Sequence, residues 1–297
     1  MVELDDEKIR KIVRESYGKI ADRNKEYSCC GPSTTSTTST HTSSSSCCGD
    51  VGLTQNYSSK IGYSEEELRS VPEGANLGLG CGNPTALASI KKGEVVVDLG
   101  SGAGFDCFLA ANKVGKTGKV IGIDMTAQMI DSARENAKKG DYENVEFRLG
   151  EIENLPVPDN TADLIISNCV INLSPEKERV FREAFRVLKP GGRMMISDIV
   201  LTKELPYLLK QNLDAYVGCV SGALLKEEYI SIIQDVGFQN VEIVGESYFP
   251  IQYMITDYNL NEFKDKFDLT LEQIEEIRNF NGAGISLKVK AFKPKKN

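Results

Sequence analysis

Eight cysteines and one histidine bound the chemistry open to this 297-residue chain. The histidine, His41, sits in a run where every other residue from Ser33 to Ser46 is serine or threonine. Such a tract is no rigid scaffold, which excludes a Ser-His-Asp triad, a paired-histidine zinc site and an H-E-x-x-H helix. Thiols remain. Met1-Val-Glu-Leu-Asp-Asp is too acidic for a signal or transit peptide, so a cytoplasmic protein is expected. In a reducing compartment cysteines act as ligands, nucleophiles or transient redox partners more often than as structural disulfides.

A second group with chemical meaning is Val95-Val-Val-Asp98-Leu-Gly100-Ser101-Gly102-Ala-Gly104. It reads as a buried strand running into a glycine turn and then a helix. Glycines there let backbone N–H groups approach a ligand at the helix N-terminus. The spacing is GxGxG, and Phe105 stands where the third glycine of the GxGxxG dinucleotide fingerprint would pack helix on strand. Twenty residues after Gly104, Asp124 closes the next strand, placed to accept hydrogen bonds from a ribose diol. The bland alternative is a tight turn with Asp124 starting a helix. Both features in register favour a bound cofactor.

The elements that must position these groups follow from periodicity. Strands are expected at 94–99, 119–124, 145–149, 162–167 and 193–197, with helices at 105–113, 126–139 and 175–188 between them, the alternation of an α/β domain with a parallel sheet. Gly140 and the Lys189-Pro-Gly-Gly192 run supply helix stops. Ile9, Ile12, Val13, Tyr17 and Ile20 mark an amphipathic helix over 5–23, and Ser64 with Glu67 forms a capping box for helical structure over 60–70. Residues 74–84 form a glycine-rich loop. Beyond 200, helices near 206–217 and 224–236 and strands at 240–244 and 286–291 extend the sheet or build a small appended unit. The expected organisation is a flexible N-terminal segment (1–59), a core domain (60–200) and a C-terminal region (201–297). A formal charge of −8 argues against a nucleic-acid partner, and no apolar run reaches the roughly 20 residues of a membrane span.

The glycine loop and Asp124 resemble the S-adenosylmethionine-dependent methyltransferases of the seven-stranded, Rossmann-like class I fold. Arg148-Leu-Gly-Glu151-Ile152-Glu153 after the third strand, Asp163-Leu-Ile-Ile-Ser-Asn168 in the fourth and Arg186-Val-Leu-Lys-Pro-Gly-Gly-Arg193 before the fifth meet the same pattern. The resemblance implies an α/β sheet with a small C-terminal α+β extension, whose last antiparallel strand is 285–292. It implies S-adenosylmethionine as cofactor, held by Asp98, Gly100, Ser101, Gly102, Gly104, Asp124, Met125, Glu151, Ile152 and Asn168. Of these, Asp124, Glu151 and Ile152 serve the adenosine, and the 100–104 loop and Asn168 serve the methionine end.

The acceptor site of an open parallel sheet lies beyond the carboxyl ends of its strands. Cys169 directly follows the fourth strand, Cys81 lies in the glycine-rich loop, and Cys219 follows the fifth strand by about twenty residues. A lone cysteine is commonly a small buried hydrophobe, and Cys107, beside Phe108 and Leu109, reads that way. Three thiols at loop positions on the cofactor side read differently. Without histidine or a fourth ligand they suit tetrahedral zinc poorly and a soft three-coordinate centre well. Arsenic(III) is such a centre, and its lone pair can attack a sulfonium methyl without a general base.

Asn76-Leu-Gly-Leu-Gly-Cys81-Gly-Asn-Pro84, Ser167-Asn-Cys169-Val-Ile-Asn-Leu173 and Tyr216-Val-Gly-Cys219-Val-Ser-Gly-Ala223 are similar to the arsenite methyltransferase family. That resemblance implies Cys169 and Cys219 as principal arsenic ligands with Cys81 completing the set, arsenite and methylated arsenicals as ligands, thioredoxin or small thiols as reductant, and a monomer. An upstream thiol, Cys47 or Cys48, would ferry arsenic or resolve a disulfide with the loop cysteine. Paired cysteines on both sides of a Ser/Thr tract (Cys29-Cys30 and Cys47-Cys48) depart from the simplest pattern, so arsenite capture by a mobile arm and incidental metal affinity both stay open. Two rival functions also stand: a small-molecule C- or O-methyltransferase of the quinone-biosynthesis type, for which the cysteines are dispensable, and a non-catalytic arsenite-binding protein.

Overall fold

The computed structural model describes residues 5–27, 49–205, 216, 217, 219–249, 270 and 283–295. The N-terminal helix α1 (Asp6–Tyr27) carries Asp6 and Glu7 in its first turn, where carboxylates complement the helix dipole. It is followed by α2 (Gly49–Lys60), α3 (Glu65–Arg69) and α4 (Pro84–Leu87). The Ser64–Glu67 capping box opens α3 as expected. Helix α2 has no sequence signature, because its composition is polar and it shows no apolar stripe. Tertiary bonds hold it instead: the Tyr57 hydroxyl donates to the Gly80 carbonyl (2.9 Å), and Ser58 and Asn76 exchange side-chain hydrogen bonds.

The sheet core alternates β1 (Val95–Leu99), α5 (Phe105–Val114), β2 (Lys119–Asp124), α6 (Ala127–Lys139), β3 (Val145–Leu149), β4 (Ala162–Asn168), α7 (Lys177–Val187) and β5 (Leu188–Leu201), then α8 (Lys226–Asp235), β6 (Gln239–Tyr248) and β7 (Gly284–Phe292). The seven strands lie in the order β3-β2-β1-β4-β5-β7-β6. Strands β1 to β5 run parallel, while β7 pairs antiparallel with both β5 and β6. The C-terminal region thus contributes two strands to the same sheet. Strand β5 is longer than the expected 193–197 segment because β7 pairs with it continuously from Arg193↔Phe292 to Leu201↔Gly284. The Pro190–Gly192 stretch lies within it as a register irregularity opposite Ala162 and Leu164. Of the helix expected near 206–217, only Tyr216 and Val217 are described. The Ser/Thr tract with His41, and Cys29, Cys30, Cys47 and Cys48, lie outside the described residues.

The period of two in the strands divides the core. Val96, Val120, Leu164 and Ile166 face one cluster with Phe108, Ile130 and Phe147 from the α5 and α6 side. Val97, Leu99, Ile121 and Ile165 face the other with Phe181, Tyr229 and Ile233 from α7 and α8. The strand order reverses between β1 and β4, which opens a crevice at their carboxyl ends. Among the described residues no helix is long and apolar enough to cross a membrane.

Gly104 joins the glycine turn to α5 with φ 97°. A Cβ there would lie 2.7 Å from the Phe108 ring and 2.9 Å from that of Phe147. Gly104→Ala combines left-handed backbone strain with overpacking and is expected to destabilise the fold by about 2–4 kcal/mol; urea denaturation measures it.

Candidate active site

The crevice beyond β1, β2 and β4 holds a pocket whose walls include Asp98, Gly100, Ser101, Gly102, Asp124, Met125, Ile152, Asn168 and Cys169. Both carboxylate oxygens of Asp124 are fixed by backbone donors: Oδ2 accepts the Gly102 N–H (3.0 Å) and Oδ1 the Thr126 N–H (2.8 Å). Burial raises its pKa against the lowering effect of those amides. Gly104 stays behind the wall, in the packing role already described. Glu151 lies outside the lining and forms an ion pair with Arg14 of α1 (3.1 Å). Glu153 lines the pocket in its place, accepting from Ser174 Oγ (2.5 Å) and from Arg10 Nε (3.4 Å).

Asp106, a site residue with no motif signature of its own, also lines the pocket. Tyr63 donates its hydroxyl to Asp106 Oδ1 (2.7 Å), and the Asn168 amide nitrogen donates to Asp106 Oδ2 (3.0 Å). Burial pushes Asp106 up to about 6, and the bonds from Asn168 and Tyr63 oppose that rise. The signal was present in the sequence as an acidic residue in the first turn after the glycine loop. Asp98 is also raised, by burial and then by Asp106, while the Cys107 thiol donates to its Oδ2 (3.2 Å). Cys107 is fully buried, as its apolar neighbours indicated.

The other three thiols among the described residues come from three separate segments and share one buried cluster with Tyr17 and Met125. All are free and buried. The Cys169 N–H donates to the Ser197 carbonyl (2.8 Å), which also accepts the Cys81 thiol (3.5 Å). A side chain on Gly82 would collide with Ser197, so the loop passes at backbone distance. The Cys81 N–H donates to Asn168 Oδ1 (3.0 Å), and its carbonyl accepts from Ser286 Oγ (2.6 Å). The Cys219 thiol donates to the Cys169 carbonyl (3.1 Å). Hydrogen bonding with Cys219 and with Cys81, reinforced by burial, holds the Cys169 thiol pKa well above its ordinary value. Cys169 lines the pocket, whereas Cys81 and Cys219 stand behind it. Among the described residues no group of three or more His, Cys, Asp and Glu side chains is arranged to hold a metal ion.

A methyltransferase-domain family model matches residues 90–237. The arsenite methyltransferase of Halobacterium salinarum is 48% identical over 256 residues, covering 82% of this chain and 60% of that protein. The crystal structure of CrArsM, an arsenic(III) S-adenosylmethionine methyltransferase from Chlamydomonas reinhardtii, superposes with a TM-score of 0.59 at 31% identity, covering 80% of this chain and 74% of that one. The chain belongs to the arsenite methyltransferase family. A ubiquinone/menaquinone biosynthesis C-methyltransferase from Salmonella arizonae is 37% identical over 130 residues, 43% of this chain and 51% of that protein. The chain spans about 60% of the length of its halobacterial relative.

The arsenite methyltransferase family implies S-adenosylmethionine, and the pocket suits that cofactor on physical grounds. Ser101 Oγ is buried at the pocket wall with no hydrogen-bond partner. Gly102 has nothing within 4 Å of where a Cβ would stand, so that side of the turn is open space. Three carboxyl groups, Asp98, Asp106 and Asp124, edge the pocket.

Cys169 and Cys219 share an unusual backbone, with φ 61° and 62° respectively. Left-handed geometry costs an L-residue roughly 1–2 kcal/mol and glycine almost nothing. Cys169→Gly is therefore expected to unfold at a higher urea concentration than Cys169→Ala, the reverse of the order at ordinary sites. Equal midpoints would contradict it.

Proposed function

We propose that this chain methylates trivalent arsenic with S-adenosylmethionine, and that Cys81, Cys169 and Cys219 together take the arsenic. The observation that carries the reading is the convergence of these three free thiols in one buried cluster, with Cys169 facing the pocket. Arsenite enters by exchange: each thiol forms a bond to arsenic, and its proton leaves with the displaced hydroxide as water. Because every proton lost from sulfur departs in that water, the site needs no general base, consistent with His41 being the sole histidine. Three bonds leave arsenic one lone pair. Bound S-adenosylmethionine would supply a sulfonium methyl: as that lone pair formed the arsenic–carbon bond, the carbon–sulfur bond would break, its electron pair leaving with the neutral thioether, and arsenic would pass formally from the +3 to the +5 state, which a thiol reductant returns to +3.

The chain's own part in this chemistry is positioning and exclusion of water. Asp124 is held rigid by two amides and serves the ribose, with Ile152 beside the adenine. Gly100, Ser101 and Gly102, with Asp98 and Asp106, serve the cationic methionine end, and Met125 packs between that pocket and the thiols. Glu151 reaches the base only by giving up Arg14, so its place in the adenosine site is the least direct of the set. Asn168 acts through Cys81 and Asp106, since both ends of its amide are already bonded to them. Cys47 or Cys48 delivers arsenic or resolves a disulfide with Cys81, and thioredoxin or small thiols return the protein to its reduced state. The role is arsenic detoxification by a cytoplasmic monomer.

The similarity to a quinone-pathway C-methyltransferase over 130 residues supports a second reading, methylation of a small organic acceptor at the same pocket. The two differ over sulfur. Cys169→Ser and Cys219→Ser are each expected to lower arsenite methylation at least about a hundredfold, by removing a bond to the reacting atom, while S-adenosylmethionine binds as before. Arsenic speciation by chromatography with elemental mass spectrometry, beside calorimetric titration of the cofactor, checks both. Retained methylation in either variant contradicts the thiolate site, and arsenite binding without turnover in the wild type identifies a sequestering protein.

A further inference from the structure

Helix α1 reaches the thiol cluster with Ile9, Val13 and Tyr17. Tyr17 packs with Cys81, Cys169 and Cys219 in the same buried group and also lines the cofactor pocket. Its hydroxyl donates to the Val217 carbonyl (3.2 Å), two residues before Cys219. The turn it grips is tight: the Cys219 N–H donates to the Tyr216 carbonyl (2.9 Å), and the Tyr216 hydroxyl donates to the Leu173 carbonyl (3.3 Å). The helix is fixed by Arg10, which bonds Glu153 and Glu176, and by Arg14 on Glu151.

We propose that Tyr17 is a positioning residue of the arsenic site, holding the 216–219 turn so that Cys219 closes on Cys169. This inference rests on the arsenic-methylating reading. Before capture the Cys219 thiol spends its proton on the Cys169 carbonyl. Once arsenic replaces that proton, the thiol no longer holds the Cys169 carbonyl, and the bond from Tyr17 to the Val217 carbonyl still ties the turn to α1. The same phenol ring seals the junction between cofactor pocket and thiols against water.

Tyr17→Phe keeps the ring and removes the hydroxyl. Isothermal titration with arsenite and, separately, with S-adenosylmethionine is the test, joined by steady-state kinetics on the full chain. The expected result is a Kd and KM for arsenite weakened by about threefold to tenfold, the scale of one lost hydrogen bond, with Kd and KM for S-adenosylmethionine within a factor of two of wild type. Unchanged arsenite affinity would overturn the proposal. So would equal losses for both ligands, which mark a helix that merely braces the fold. A wild-type protein that binds no arsenite would remove this inference together with the reading beneath it, whereas wild-type binding matched by the variant removes this inference alone.

Discussion

The side chain of Asn168, at the carboxyl end of β4, holds the two halves of the site in register. Its carbonyl oxygen accepts the Cys81 amide, and the two hydrogens of its NH₂ are shared among Asp106, the Tyr63 hydroxyl and the Gly82 carbonyl, all within hydrogen-bond distance. One amide therefore ties the glycine-rich loop, which carries a thiol, to the carboxylate wall of the pocket. Strand pairing sets where that amide stands, because Asn168 lies opposite Ser197 and the Ser197 carbonyl anchors both Cys169 and Cys81. A shift of one residue in the β4–β5 register would send every one of these groups to the other face of the sheet.

Burial decides what kind of sulfur site this is. Hydrogen bonding with Cys219 and Cys81, with desolvation, favours the protonated form of Cys169. A divalent cation that needs preformed thiolates pays for each deprotonation in a medium that resists charge. A hydroxylated metalloid that carries the proton away as water does not build up that charge. The backbone at Cys169 and Cys219 is left-handed, strain tolerated where side-chain direction matters.

Much of this was legible in the sequence, and the exceptions have physical causes. The β1 to β4 boundaries follow from apolar runs bounded by glycine and aspartate, and Cys169 follows directly from its place after β4. The helix α2 escaped because Tyr57 and Ser58 stabilise it through distant partners, which local propensity does not register. Tyr17 reads only as one position of an amphipathic stripe, since nothing local tells a core contact from a contact with a thiol cluster. Glu151 and Glu153 are separated by one residue in an irregular loop, and only the fold determines that Glu153 turns inward while Glu151 meets Arg14. Ser197 and Ser286 are serines within apolar strands, and the Cys81 groups they bond lie 116 and 205 residues away in the chain.

The most direct test of the account is X-ray absorption at the arsenic edge on the reduced protein loaded with one equivalent of arsenite. Capture by Cys81, Cys169 and Cys219 together predicts a first shell of three sulfur atoms and no oxygen, reduced to a mixed sulfur and oxygen shell in Cys81→Ser. A wild-type shell that retains oxygen, or a three-sulfur shell that survives removal of Cys81, would contradict the convergence of these three thiols on one arsenic atom.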